Sequence, residues 1–267
     1  MSVTVVKNVF GGTNAKTVGE ELRLWIVSQL PGLKLIKSNT SSSSYPWWVY
    51  QFEGTNSGIT FYGSFYSSSR YSLQLSFRTG VSEITSVSGG EYNFGFASVA
   101  ETDGTHFYVK ALVAKTLKGV IIQKIDYSSD IPDEKFIYFG KATSALIGEI
   151  SLYGYFSAAS RLYINADSTS PSTYPGDMFW FKINSENDVR WMRGTLSTIL
   201  SNGLSGSTAG SIVVSAVYGI TGAAWTEPIR IDDFYAVNGL ALPPYYTDVT
   251  VGGRKMQRVG KELLLEG

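Results

Sequence analysis

A succession of short aromatic segments between residues 47 and 124 constrains the fold most, since each is bounded by Gly, Ser, Asn or Asp. Segments such as WWVYQFEG, GITFYGSFY and YSLQLSFRTG have the length and residue types of strands separated by turns. The whole chain contains 17 Tyr, 14 Phe and 28 Gly, which is typical of aromatic strands joined by tight connections. Short connections join antiparallel strands. We therefore expect a mainly β protein with antiparallel sheets.

Two segments depart from this pattern and predict helices. Thr17 and Glu20 have capping-box spacing, apolar residues recur at helical intervals over 18–30, and Pro31 with Gly32 follows. A second helix is predicted within residues 188–200, where apolar residues also have helical spacing. The expected class is thus mainly β with one or two helices (α+β).

An internal repeat links the two halves of the chain. Residues 59–73 align without gaps to residues 150–164 and share six of fifteen residues. Within the repeat, Gly63 and Gly154 interrupt aromatic strands, which predicts a bulge or a close backbone approach at each glycine. The repeat indicates internally duplicated β blocks in an antiparallel, sandwich-like arrangement, with one strand-turn-strand geometry in both copies. Coincidence is the alternative, because strands and turns use a small set of residues.

Three units follow from these patterns, and the 267 residues are enough to bury a core without disulfides. Residues 1–125 hold the N-terminal helix and the first β block. Residues 126–244 hold the second β block and the second predicted helix, and residues 245–267 form a C-terminal hairpin tail.

Composition excludes several classes of function. The chain has no Cys and a single His, so thiolate chemistry and a metal centre with several histidines are ruled out. Its 22 basic and 22 acidic residues balance, so no overall field attracts nucleic acid or an anionic membrane. The N-terminus lacks a secretory pattern, and no apolar run is long enough to span a bilayer. We expect folding in a cytoplasm, without a cofactor.

Candidates for catalysis are few. His106 stands beside a predicted strand, and no nucleophile-elbow motif accompanies it. Carboxylates within residues 126–134 could bind calcium or form an acid pair, although an acidic turn between β blocks explains them equally well. Asp232 and Asp233 are adjacent on a predicted strand, so alternation places them on opposite faces. We therefore expect a protein that is not an enzyme.

Aromatic residues are better candidates for binding. Trp47 and Trp48 are adjacent in one predicted strand, so one should face the core and the other solvent or a partner. The outward ring could stack on a sugar or fill a subunit interface. We therefore assign this pair as the ligand-stacking candidates.

The C-terminal segment is predicted to be an assembly element. Val249 and Val251 alternate with polar residues, Gly252 and Gly253 suit a tight hairpin turn, and Arg254 begins the returning strand. An isolated hairpin is only marginally stable, so it should pair with the chain's own body or with a neighbouring subunit. The residues assigned to partner docking are Val249, Val251, Arg254, Leu263, Leu264 and Leu265.

Residues 245–267, YYTDVTVGGRKMQRVGKELLLEG, resemble the strand and Gly-Gly-turn endings of structural proteins of tailed bacteriophages. The resemblance implies a component of the tail, baseplate, fibre or decoration class that oligomerises around a symmetry axis and contacts other virion proteins. It carries over no catalytic residue. We thus expect a noncatalytic virion protein, assembled in the bacterial host cytoplasm. The alternatives are a carbohydrate- or receptor-binding β module, with a host-surface glycan as partner, and then a glycan-cleaving enzyme. Neither nucleic acid nor membrane insertion is expected.

Overall fold

A computed structural model of the chain describes residues 3–41, 44–67, 70–88, 94–97, 99–100, 105–116, 118–126, 129–144, 148–157, 177–183, 189–197, 212–221, 228–239, 243–260 and 263–267. These residues form one α-helix, α1 (Ala15–Gln29), and a short 3-10 turn, Val81–Glu83. The strands are β1 (Thr4–Gly12), β2 (Leu33–Asn39), β3 (Trp47–Phe52), β4 (Ser57–Ser67), β5 (Arg70–Thr79), β6 (Phe94–Ala97), β7 (Val99–Ala100), β8 (Phe107–Lys115), β9 (Gly119–Ile125), β10 (Pro132–Ser144), β11 (Gly148–Ser157), β12 (Asp177–Ile183), β13 (Val189–Ser197), β14 (Ile212–Thr221), β15 (Pro228–Gly239), β16 (Asp248–Val251), β17 (Arg254–Arg258) and β18 (Leu263–Glu266).

The strands form two antiparallel sheets. The small sheet has the order β2-β3-β4-β5-β6, in which every neighbour is also adjacent in the chain. The large sheet has the order β1-β8-β9-β10-β11-β12-β13-β14-β15-β18-β17-β16, and β7 also pairs with β8. Residues 142–144 of β10 pair with residues 229–231 of β15, so the large sheet curls into a half-barrel. The predicted mainly β, antiparallel class is confirmed.

Two hydrophobic cores hold these layers together. The first lies between the small sheet, helix α1 and one face of the large sheet, and includes Phe10, Leu22, Ile26, Trp48, Phe61, Tyr71, Leu73, Phe77, Val109, Val113 and Ile137. The second lies on the other face of the large sheet and includes Leu112, Ala114, Ile121, Phe136, Tyr138, Ile150, Ile231, Phe234 and Leu265. Strands β8 to β10 bury both faces where they lie between the two cores, which explains their apolar runs at residues 111–114, 121–122 and 136–138.

Helix α1 is present as predicted, with a different cap. The side chain of Asn14 accepts hydrogen bonds from the backbone N–H groups of Lys16 and Thr17 at 3.0 and 3.2 Å. Thr17 therefore lies inside the first turn, and Asn14 is the N-cap residue. The side chains of Leu22 and Ile26 are fully buried, which places one face of the helix on the first core.

The prediction of a second helix within residues 188–200 is wrong. Its described part, Val189–Ser197, is strand β13, which pairs with β12 on one side and β14 on the other. The segment VRWMRGTLS contains Val, Trp, Thr and Gly, which are poor helix formers. Pairing on both edges decided the structure, and helical spacing of the apolar residues did not. Residues 188 and 198–200 lie outside the described part.

The two repeat copies are described to different extents. In the first copy, residues 59–67 belong to β4 and residues 70–73 to β5, and residues 68–69 lie outside the described part. In the second copy, residues 150–157 belong to β11, while residues 158–164 also lie outside it. Both copies begin as a strand, and their common strand-turn-strand geometry stays a prediction.

The boundary predicted between residues 125 and 126 falls between β9 and β10, which pair with each other in the large sheet. The division into three units stays a prediction. Among the described residues, no helix combines the length and the apolar character needed to cross a membrane.

Candidate functional site

The C-terminal hairpin forms as predicted. Strands β16 and β17 pair antiparallel around Gly252 and Gly253, whose φ angles are 58° and 81°. Positive φ at both central positions is the requirement of a type I′ turn, which glycine meets without strain. Val249 pairs with Met256, and Val251 pairs with Arg254.

Strand β18 lies between β15 and β17 and fixes the hairpin to the body. Leu264 is fully buried against Tyr235 and Met256, and Val249 and Val251 pack on the edge of that cluster. Leu265 is fully buried in the second core beside Phe234.

Packing within the chain therefore accounts for the burial of Leu264 and Leu265. Leu263 pairs with Ala236 through the backbone. The predicted docking role of the segment stays a prediction. In that prediction, the hairpin contacts the partner and the two buried leucines do not.

Strand β16 is the last strand in the order of the large sheet. Hairpin geometry fixes which of its residues direct their backbone N–H and C=O groups outward. In a hairpin with a two-residue loop, the residues flanking the loop form a hydrogen-bonded pair. The backbone groups of Val251 and Val249 therefore point toward β17, and those of Thr250 and Asp248 point away from it. Among the described strands, β17 is the one that pairs with β16.

Arg254 holds β17 to its neighbours. Its guanidinium donates a hydrogen bond to the Tyr235 hydroxyl and forms an ion pair with Glu266 at 3.1 Å. Burial is the main cause of the raised pKa of Tyr235, and Glu266 adds to it. Arg254 therefore stabilises the position of the hairpin on its own chain.

A second polar site lies where the turn between β8 and β9 meets β15. The register between β14 and β15 shifts after Ala216, which pairs with Tyr235, whereas Val217 pairs with Ile231. Residues 232–234 are thus bulged, and both Asp232 and Asp233 contact the β8–β9 turn. The expectation that these neighbouring aspartates point apart is wrong, because a bulge interrupts the alternation of side chains.

The two aspartates have distinct partners. Asp232 forms an ion pair with Lys118 at 3.1 Å and accepts a hydrogen bond from the Thr143 hydroxyl. Asp233 accepts a hydrogen bond of 2.5 Å from the Thr116 hydroxyl. Burial raises the pKa of Asp233 to about 6, against the opposing effects of the Thr116 hydrogen bond and the Lys118 charge. This cluster fastens the β8–β9 turn to β15.

The carboxylates considered as calcium ligands or as an acid pair include Asp126 and Asp130, and both bond to other side chains of the described part. Asp126 accepts hydrogen bonds from the backbone and hydroxyl of Ser129, and Asp130 forms an ion pair with Lys110 at 2.8 Å. The hydrogen bond from Lys110 is the main cause of the lowered pKa of Asp130. Within the described residues, no group of three or more His, Asp or Glu could hold a metal ion.

His106 lies just before β8. Its Nδ1 is 2.9 Å from the Thr105 hydroxyl, and its ring stacks on Tyr108 with centroids 6.3 Å apart. These contacts place His106 at the entry to the strand, as the sequence indicated.

Trp47 and Trp48 face opposite sides of the small sheet, as strand alternation predicts. Trp48 is 4% exposed, and the Arg23 guanidinium lies 4.3 Å from its ring centroid. Trp47 is half-buried on the outer face, in a cluster with Val49 and Tyr62. Trp47 is therefore the member of the pair that a ligand can reach.

Two tyrosines extend the surface around Trp47. Tyr62 is the cross-strand partner of Trp47, and the ring of Tyr45 stacks on Tyr62 with centroids 6.0 Å apart and planes 20° apart. Tyr45 is 50% exposed. Tyr62 was not singled out from the sequence. Strand alternation could have identified it, because Phe61 faces the core and its neighbour Tyr62 therefore faces outward.

No protein-family model matches this chain, and no curated protein matches it. Both candidate surfaces are therefore assigned from the geometry of the structure. The outer edge of β16 is suited to pairing with another strand, and the Tyr45–Trp47–Tyr62 surface is suited to stacking.

Proposed function

We propose that this chain is a noncatalytic structural protein of a tailed-bacteriophage virion, part of the tail or its appendages. It is assembled in the bacterial host cytoplasm, oligomerises and contacts other virion proteins. The observation that carries the proposal is the outer edge of β16, where the backbone groups of Asp248 and Thr250 point away from the chain's own sheet. The resemblance of residues 245–267 to phage structural proteins supports the same conclusion.

Strand addition is the physical basis of this assembly. An edge strand offers a row of N–H and C=O groups that a strand of another chain satisfies. Val249 and Val251 pack on Tyr235, Met256 and Leu264, so the strand is held in place before a partner arrives. Less conformational entropy is then lost on binding.

The partner strand is β1 of a second copy. β1 (Thr4–Gly12) lies at the opposite end of the large sheet and pairs with β8 on one side among the described strands. It carries two exposed valines, Val6 and Val9, at 46% and 53% exposure. Contact between β16 of one copy and β1 of the next is heterologous, and it builds a ring or a filament.

The test is a proline at the outward position of β16. Thr250→Pro removes one outward N–H and leaves the hydrogen bonds to β17 in place, since proline is tolerated on an edge strand. We expect light scattering and micrographs to show an oligomer of the wild type. The Thr250→Pro variant should be a monomer with an unchanged circular dichroism spectrum. Thr250→Ser is the matched control and should assemble like the wild type. Thr250→Lys gives a second edge-blocking variant if the proline variant does not fold.

A monomeric wild type at high concentration, or Thr250→Pro and Thr250→Lys variants that assemble normally, would contradict this edge contact. Virion location has its own test. Mass spectrometry of purified particles from cells that carry the gene should detect the chain at a fixed ratio to the other particle proteins. Its absence from the particles would refute the virion assignment.

A further inference from the structure

The outer face of the small sheet carries a row of uncharged residues across all five strands. The pairing register aligns Asn39 of β2, Trp47 of β3, Tyr62 of β4, Gln74 of β5 and Gly95 of β6. Four strand spacings of about 4.8 Å give the row a length of about 19 Å. We call this set, together with Tyr45, the aromatic row.

The centre of the aromatic row carries three aromatic rings. Tyr45 lies over Tyr62 with the two ring planes only 20° apart, and half of Tyr45 is exposed. Trp47 is half-buried beside Tyr62 on the same face. Rings in this arrangement offer an apolar surface whose edges remain polar.

Polar and open positions flank the rings. Asn39 accepts hydrogen bonds from the backbone and hydroxyl of Ser41 at 3.1 and 2.6 Å, and its amide N–H groups are donors. Gly95 is exposed, and a Cβ added there would meet Gln74 Cγ at 3.8 Å as its nearest atom. With respect to the described residues, the row is therefore open at its β6 end.

A neighbouring segment makes one wall of the row and engages the side chain of Lys37. The Lys37 ammonium donates hydrogen bonds to the backbone oxygens of Ser82 and Ile84, the second at 3.1 Å. These bonds hold the segment after Val81 across the adjacent part of the sheet, where Val87 and Val49 are buried together. The wall is formed before a ligand binds, and Lys37 is engaged by carbonyl groups.

We infer that the aromatic row binds a neutral oligosaccharide. The apolar face of a sugar ring stacks on Tyr45 and Trp47, with Tyr62 supporting Tyr45 from beneath, and the amides of Asn39 and Gln74 bond its hydroxyl groups. An acidic sugar or a phosphate would need a cationic partner, and the row contains none. This binding surface lies on the small sheet and does not depend on assembly through β16.

The experiment titrates the full chain with neutral tri- to hexasaccharides of glucose, galactose, mannose and N-acetylglucosamine, and with sialylated and uronic-acid oligosaccharides of the same length. We expect at least one neutral oligosaccharide to bind, with weaker binding of the acidic ones. Tyr45→Ala should weaken the binding about fivefold, as the loss of one aromatic stacking contact implies. Gly95→Val should weaken it by filling the open end.

Leu35→Ala is the matched control, because Leu35 is 46% exposed on β2 of the same sheet but lies outside the row. Its affinity should equal that of the wild type, and circular dichroism should show all variants folded. The inference is overturned if no neutral oligosaccharide binds, if acidic ones bind more tightly, or if Tyr45→Ala and Gly95→Val leave the affinity unchanged. Retained sugar binding by a monomeric Thr250→Pro variant would separate this result from the assembly test.

Discussion

The ring of Tyr71 lies so close to Gly19 of helix α1 that a Cβ added to the glycine would lie 2.0 Å from Tyr71 Cε1. The same ring covers Gly63 of β4, where an added Cβ would lie 2.0 Å from the Tyr71 hydroxyl oxygen. Tyr71 is 1% exposed. Two glycines on different elements thus make room for one buried aromatic residue, and this contact joins the helix to the small sheet.

Gly19→Ala should therefore destabilise the protein. Alanine is the better helix former by about 0.8–1 kcal/mol, but forcing a methyl group into a packed core costs typically about 1–3 kcal/mol. The difference between the two terms should lower the free energy of unfolding in urea by up to about 2 kcal/mol. Gly95→Ala is the control, since its Cβ has room, and it should change stability by less than about 0.5 kcal/mol. A Gly19→Ala protein more stable than the wild type would contradict this account of the packing.

The role of Gly63 shows how far the sequence alone reaches. Its position inside an aromatic strand predicted a bulge or a close backbone approach, whereas the group nearest to the missing side chain is itself a side chain. The approaching group is the side chain of Tyr71, and the Gly63 N–H also donates to the Pro46 carbonyl at 2.8 Å. Neither partner could be identified, because the register of β4 against β5 contains a shift between Phe65 and Ser67 and the path of residues 44–46 depends on tertiary contacts.

Arg23 should be replaceable by Met but not by Ala. Its buried guanidinium lies over Trp48 and donates a hydrogen bond to the Tyr50 hydroxyl. Arg23→Ala leaves a cavity and removes both contacts, so we expect a loss of about 2–3 kcal/mol of stability. Arg23→Met fills much of the volume without a buried charge and should lose less than half as much. Thermal unfolding of the two variants measures the difference, and equal losses would show that the charge itself is essential.

Asp233 should make stability depend on pH. Burial raises its pKa to about 6 from the ordinary value of 3.8, so the folded protein holds this proton more tightly than the unfolded chain. The contribution is fully present below about pH 4 and is lost as pH rises toward and through 6. Asp233→Asn keeps an acceptor for Thr116 and cannot ionise. The variant should therefore equal the wild type at pH 4 and exceed its melting temperature at pH 7.5.

The quantity to compare is the difference in melting temperature between Asp233→Asn and the wild type. The other carboxyl groups titrate in both proteins, so their effect on this difference cancels. Among the groups facing Asp233 are Asp232, Lys118 and the Tyr138 hydroxyl, whose own pKa burial raises well above the usual value. A difference in melting temperature that does not change between pH 4 and pH 7.5 would show that Asp233 does not titrate in this range.

The hairpin and the bulge mark the boundary of what local sequence can predict. Gly252 and Gly253 favour a tight turn through their own backbone freedom, so that hairpin was predictable. The bulge at residues 232–234 has no such local signal, because it is stabilised by contacts of Asp232 and Asp233 with a turn more than a hundred residues away. Trp47 and Trp48 were placed correctly on two faces, since alternation is a local property. Which face was open depended on Arg23 of the helix.

Truncation after Tyr246 should unfold the protein rather than release a folded monomer. It deletes β18, and with it Leu264 and Leu265, which are fully buried in two different clusters. It also deletes Val259, whose carbonyl accepts a buried hydrogen bond of 3.0 Å from the Gln123 side chain. Loss of one such leucine alone costs typically about 2–5 kcal/mol, a large part of the stability of a domain. We therefore expect loss of the β circular dichroism signal and of cooperative thermal unfolding. A truncated chain that melts cooperatively near the wild-type temperature would show that the segment is an appendage, and assembly could then be tested by truncation as well as by Thr250→Pro.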